Sequence, residues 1–116
     1  MKYKVLGRSG LRVSELCLGA MTIGEELGTG ATEAVSRQIY DCYRAAGGNF
    51  VDTANIYTMG TSERMLGDFI RPEREHIVLA SKYSMTTDIA DPNCSGNHRK
   101  NMVQALEASL KRPGTD

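Results

Sequence analysis

Apolar and polar positions along the chain switch between short extended runs and stretches with a helical beat. Residues 2–6 and 11–18 read as two extended runs divided by Gly7-Arg8-Ser9-Gly10, a glycine-bracketed turn of the hairpin kind. The second run ends in Leu16-Cys17-Leu18-Gly19-Ala20, which reads as a buried strand entering the polar, glycine-rich segment 24–30. From Thr32, a side chain suited to an N-cap, apolar residues recur at Val35, Ile39, Cys42, Tyr43 and Ala46 and trace one helix face, until Gly47-Gly48 ends the pattern. Asn49-Phe50-Val51-Asp52 is a second short strand, and a loop from Thr53 to Gly60 follows. Thr61 then caps a second helix carrying Met65, Leu66, Phe69 and Ile70, which Pro72 closes. Ile77-Val78-Leu79-Ala80 is apolar throughout, as a strand covered on both faces should be. A polar segment from Tyr83 to Gly96 delays a third helix over 97–111, with Val103, Leu106 and Leu110 on one face. Pro113 lacks an amide hydrogen and crowds the carbonyl of Ser109, so that helix should end near Arg112.

The order is thus a hairpin followed by three strand–helix units, which predicts right-handed crossovers and a parallel sheet. The expected bounds are about 2–18 for the hairpin and about 16–47, 49–71 and 76–112 for the units. At 116 residues and 12.7 kDa the chain has room for one small domain. A complete eight-unit α/β barrel typically takes about 250 residues. The alternation therefore reads as interrupted where a fourth strand would begin.

Composition narrows the function classes. Fourteen basic and fourteen acidic residues cancel, which leaves no one-sign field to hold a phosphate backbone or an anionic lipid surface, so nucleic acid and membrane are not expected partners. Cys17, Cys42 and Cys94 are odd in number and widely spaced, which suits reduced thiols and neither a disulfide frame nor a zinc site. With no apolar leader after Met1, a cytoplasmic location is expected. Gly28-Thr29-Gly30-Ala31-Thr32-Glu33 begins like a dinucleotide fingerprint, but its last position is Glu and it follows a loop, so it is set aside. No metal site is predicted.

In a parallel α/β sheet, reactive groups gather on the loops after the strand C-termini. Asp52 closes the second strand, Tyr57 lies five residues on, and Lys82 follows the third strand thirty residues after Asp52, about one βαβ unit. Adjacent parallel strands would bring Asp52 and Lys82 side by side. A lysine buried beside a tyrosine favours the phenolate, and a carboxylate next to the lysine keeps it charged and aimed. On spacing alone the same residues also fit a structural ion pair and a packed ring with a wet hydroxyl.

Five ordered motifs carry a resemblance. Leu6-Gly7-Arg8-Ser9-Gly10-Leu11-Arg12-Val13-Ser14, Leu18-Gly19-Ala20-Met21-Thr22, Phe50-Val51-Asp52-Thr53-Ala54-Asn55-Ile56-Tyr57, Ser62-Glu63-Arg64-Met65-Leu66-Gly67 and Ala80-Ser81-Lys82 together resemble the aldo-keto reductase superfamily over essentially the whole chain. The subgroup most resembled holds general-stress-type reductases and potassium-channel β-subunits. The resemblance implies the N-terminal part of a (β/α)8 TIM barrel, left incomplete here, in an enzyme that uses NADPH to reduce a small aldehyde or ketone.

By that resemblance Tyr57 protonates the carbonyl oxygen, while Lys82, oriented by Asp52, lowers the pKa of the phenol. Ala20, Met21 and Asp52 match positions at the cofactor, with Ala20 and Met21 in the loop that faces the nicotinamide. The family's fourth catalytic residue, a histidine after the fourth strand, has no counterpart, and His76 and His98 read as surface or loop residues. Most of the family's cofactor-binding segments also come later than Asp116, so the 116-residue chain alone is expected to be inactive. Two alternatives to an oxidoreductase follow: a catalytically silent chain, or an interaction module that pairs through its open sheet edges, including self-association.

Overall fold

The computed structural model describes residues 1–115. Strands β1 (Tyr3–Val5) and β2 (Arg12–Ser14) form the antiparallel hairpin, with Tyr3 opposite Ser14 and Lys4 opposite Val13. A parallel sheet follows, built from β3 (Leu18–Gly19), β4 (Phe50–Asp52) and β5 (Val78–Ala80) in that spatial order. Helix α1 (Glu33–Ala45) connects β3 to β4, helix α2 (Thr61–Ile70) connects β4 to β5, and α3 (Arg99–Lys111) comes last. Thr32 caps α1 by accepting the Val35 amide, as its position suggests. Helix α2 is instead capped by Gly60 in the left-handed conformation, and Thr61 is its first residue. Pro72 falls at the start of a 3-10 turn, Arg71–His76, that carries the chain from α2 to β5.

Register decides which residues share a face. Leu18 lies opposite Val51 and Val51 opposite Leu79, while Gly19, Asp52 and Ala80 form the adjacent row. Because side chains alternate along a strand, the first row turns towards the helices and the second towards the other side of the sheet. Val51 is fully buried and packs with Ala20, Ile23, Tyr40, Leu66, Phe69, Ile70 and Ile77, with Leu18 and Leu79 against them. Burying a leucine such as Leu66 contributes about 1.5–3 kcal/mol, so the core is a layer between one sheet face and two helices.

The second face of the sheet is uncovered, and this corrects two expectations. Residues of β5 are only half-buried, and Leu16 and Cys17 before β3 are exposed, so neither strand is covered on both faces. The molecule is accordingly flat, measuring 43 × 36 × 22 Å. Its accessible surface of 7217 Å² exceeds the roughly 6,200 Å² expected for a compact monomer of this mass.

Two helix faces also differ from the apolar pattern. Helix α1 buries Ser36 and Tyr40 and half-buries Tyr43, leaving Val35, Ile39 and Cys42 exposed. The Tyr40 ring lies 5.7 Å from that of Phe69, and the Tyr43 hydroxyl reaches the backbone of Phe50, so hydrogen-bonding aromatics form the contact face in place of aliphatics. Helix α3 turns Asn101 and Ala105 inwards and leaves Val103 and Leu106 exposed. It ends at Lys111, and Pro113 packs so tightly on α2 that any side chain at Gly67 would collide with it. Among the described residues, no helix is long and apolar enough to cross a membrane.

Candidate active site

At the C-terminal ends of the parallel strands the backbone ladder runs on past the regular elements. The Ala20 amide donates to the Asp52 carbonyl at 2.9 Å, the Thr53 amide to the Ala80 carbonyl at 2.8 Å, and the Asn55 amide to the Lys82 carbonyl at 3.1 Å. These bonds fix where each strand hands over to its loop. They bring Asp52, Tyr57 and Lys82 together at one edge of the open sheet face.

The Lys82 ammonium is the centre of the cluster. Nζ donates to Asp52 Oδ2 at 2.6 Å, to the Thr53 carbonyl at 2.9 Å and to the Tyr57 hydroxyl at 3.0 Å. It also lies 4.7 Å from the centroid of the Tyr57 ring. An ammonium carries three donors and no acceptor, so all three are used and the Tyr57 oxygen must accept. The phenol's own proton is thereby turned away from Lys82. Among the described residues none accepts it.

Lys82 is not buried as the spacing argument supposed, because its side chain is 47% exposed beside a half-exposed Asp52. The sheet face that carries the pair is uncovered, so β5 screens the lysine from one side only. Partial burial works against its charge, but the hydrogen bonds to Asp52 and Tyr57 outweigh that effect and hold the amine above the ordinary lysine range. The charged form therefore prevails across physiological pH. Asp52 aims the ammonium, and the ammonium sits where it stabilises negative charge on the phenol oxygen.

Several residues that the sequence did not single out complete the frame. Ser62 Oγ donates to the Ala20 carbonyl at 2.8 Å, and since it has one hydrogen, the Thr53 hydroxyl 2.8 Å away donates to it. Ala20, Thr53 and Ser62 are all fully buried, which locks the exits of β3 and β4 to the first turn of α2. Glu63, 1% exposed, accepts from Ser81 Oγ at 2.6 Å and pairs with the Arg112 guanidinium at the end of α3. The residue just before Lys82 is thus tied to two helices. The cue in the sequence is that Thr53, Ser62, Glu63 and Ser81 fall within the motifs that carry the resemblance; Arg112, 49 residues from Glu63, has none.

Ala20 is fully buried, whereas Met21 beside it is 57% exposed at the edge of the open face. His98 caps α3 by accepting the Asn101 amide on Nδ1, and His76 sits at the opposite end of β5, so neither joins the cluster. The three cysteines are unpaired thiols, and no group of metal-ligating side chains occurs among the described residues.

The aldo/keto reductase family model matches residues 15–116. The norsolorinic acid reductase of Aspergillus flavus is 38% identical over 126 aligned positions, which cover 98% of this chain and 32% of that protein. A probable voltage-gated potassium channel subunit beta of Arabidopsis thaliana is also 38% identical, over 100% of this chain and 35% of its own length. An aldo-keto reductase from Bacillus halodurans, solved in its holo form, superimposes with a TM-score of 0.82 at 31% identity, over 100% of this chain and 37% of that one. The chain spans about a third of the length of the curated relatives it matches.

Proposed function

The chain belongs to the aldo/keto reductase family, and on that premise we propose that it carries the proton-donating part of an NADPH-dependent reduction of a small aldehyde or ketone. The observation that carries the reading is the Lys82 ammonium bridging Asp52 and the Tyr57 hydroxyl, while among the described residues none accepts the phenol proton. A carbonyl oxygen placed against Tyr57 receives that proton as the C–H bond forms. Lys82 then stabilises the phenolate left behind, and solvent restores the proton through the open face. Asp52 touches neither reacting atom and acts by holding Lys82.

The donor set fits the reducing end of a nicotinamide cofactor. Asp52 and Tyr57 open onto an uncovered face, and the half-exposed Met21 offers an apolar surface next to buried Ala20 for a flat ring. Ala20, Met21 and Asp52 are the residues that would flank it. Held there, a reduced nicotinamide would be the source of hydride for the carbonyl carbon. These 116 residues are assigned the acid, its cation and that flank.

The test is NADPH consumption, followed by absorbance with a panel of small aldehydes and ketones, by a reductase of full family length that carries these residues, which is the wild type of every turnover comparison below. Wild type should turn over, and Tyr57→Phe should lower kcat/KM by roughly 10²–10⁴-fold, the usual worth of general acid help. Equal rates in the two would reject the reading. The open edge of β5 favours a second one, self-association by strand pairing. Light scattering that gives one monomer mass at every concentration would reject that.

A further inference from the structure

Directly after Tyr57 the backbone enters the left-handed region three times in succession: Thr58 (φ 45°, ψ 46°), Met59 (φ 55°, ψ 33°) and Gly60 (φ 87°). Glycine suits that region, but a β-branched threonine there is a genuine outlier that its surroundings must hold in place. Thr58 is held. It is 1% exposed, its Oγ1 donates to the Ile23 carbonyl at 2.6 Å, and the same oxygen accepts the Ser62 amide at 3.0 Å. The opposing loop is shaped to receive it. Gly24, itself at φ 103°, has no room for a side chain, since a Cβ there would lie 2.9 Å from Thr58 Oγ1 and 3.0 Å from its Cβ.

We propose that Thr58 is a positioning residue for Tyr57. Its hydroxyl clamps the loop that bears Tyr57 onto the loop that bears Ala20 and Met21, and so fixes the phenol relative to the face where the reaction takes place. The clamp spans 35 residues of sequence and joins three elements with one side chain. Met59, 68% exposed in the same left-handed stretch, contributes no such tie. Without the Thr58 hydroxyl the strained turn loses its anchor and relaxes, and Tyr57, one residue away, moves with it. This inference rests on the reductase reading for the word reaction, but the clamp itself is a statement about where Tyr57 sits.

The experiment uses the chain labelled with 13Cζ-tyrosine, whose five tyrosines give five resonances, with Tyr57 assigned by Tyr57→Phe. Thr58→Ser keeps the hydroxyl and should leave the Tyr57 resonance in place. Thr58→Ala removes it and should shift or double that resonance while the other four stay put. In NADPH-linked turnover of the full-length reductase Thr58→Ala should lower kcat by about tenfold or more with KM within about twofold, and Thr58→Ser should restore it. Gly24→Ala, which crowds the hydroxyl without removing it, should displace the same resonance and covers the case in which Thr58→Ala does not fold. An unmoved Tyr57 resonance in Thr58→Ala overturns the inference. So does global unfolding of both variants beside an intact Thr58→Ser, which would make Thr58 a stability residue alone. A wild type without turnover that still shows the expected resonance pattern counts against the reductase reading only, and the clamp stands.

Discussion

The chain contains two clusters of the same chemistry, a tyrosine, a cation and a carboxylate, at opposite ends of β5. Before the strand, Glu73 accepts from the Tyr40 hydroxyl at 2.7 Å and from Arg44 Nε and Nη2 at 2.9 and 2.6 Å. After the strand, Lys82 donates to Asp52 and to Tyr57. The difference lies in which partner the phenol meets. Tyr40 is fully buried and gives its proton to a carboxylate; burial first, then the Glu73 hydrogen bond and charge, pushes its phenol far above the usual tyrosine range. That hydroxyl is spent on structure. Tyr57 accepts from a cation at an open face and keeps its proton to give away. A tyrosine, a cation and a carboxylate make a strut in one place and a proton donor in the other, so the chemical make-up of a cluster is a weaker guide to function than the direction of its hydrogen bonds.

Neutralising the two carboxylates in turn breaks the symmetry most sharply. Asp52→Asn should lower NADPH-linked turnover on the order of a hundredfold, because the ammonium is no longer aimed, and should leave the thermal midpoint near wild type. Glu73→Gln should leave turnover unchanged and cost about 1–3 kcal/mol in a urea melt, since Arg44 and Tyr40 keep only a neutral partner. Parallel effects of the two changes on both readouts would dissolve the contrast.

Acid then distinguishes the clusters by sign. The Arg44 hydrogen bond, opposed by partial burial and aided by Tyr40, holds the Glu73 carboxyl below its ordinary value of 4.5. A depressed carboxylate stabilises the fold above its unfolded value and loses that contribution as the pH falls through the folded one. Urea midpoints should therefore drop below about pH 4.5 in wild type and change less in Glu73→Gln.

Alkali gives the smallest effect. Lys82 is held above its ordinary value of 10.5, so whatever it adds to stability is fully present below that value and fades as the pH rises through the raised one. Melts between neutrality and about pH 10 should not separate wild type from a Lys82→Met variant by slope, and only a more alkaline series should. With half of its side chain in water, the difference will be small.

What the sequence disclosed follows from which interactions are local. The hairpin, the strand order and the Asp52–Lys82 contact were legible because one βαβ unit has a near-constant length and parallel register then sets the rest. The α1 face was misread because counting apolar residues favours Val35, Ile39 and Cys42, whereas the helix packs through Ser36, Tyr40 and Tyr43, whose polar atoms are satisfied inside. The Glu63–Arg112 pair had no local signal, because its partners come from two helices far apart in sequence. Thr58 gave no cue at all, since nothing in a threonine announces a positive φ, and only the facing Gly24 and Ile23 make that conformation tenable. The exposure of Lys82 was likewise invisible to spacing, which says what lies adjacent along a sheet edge and nothing of what covers it.

The most direct measurement exchanges the two cations for methionine and reads both properties on each variant. Lys82→Met should abolish most NADPH-linked turnover with a urea midpoint close to wild type, and Arg44→Met should lower the midpoint with turnover per folded molecule intact. If Lys82→Met turns over like wild type, or if both variants lose stability and activity in step, the cluster after β5 is a strut like the one before it and the account fails.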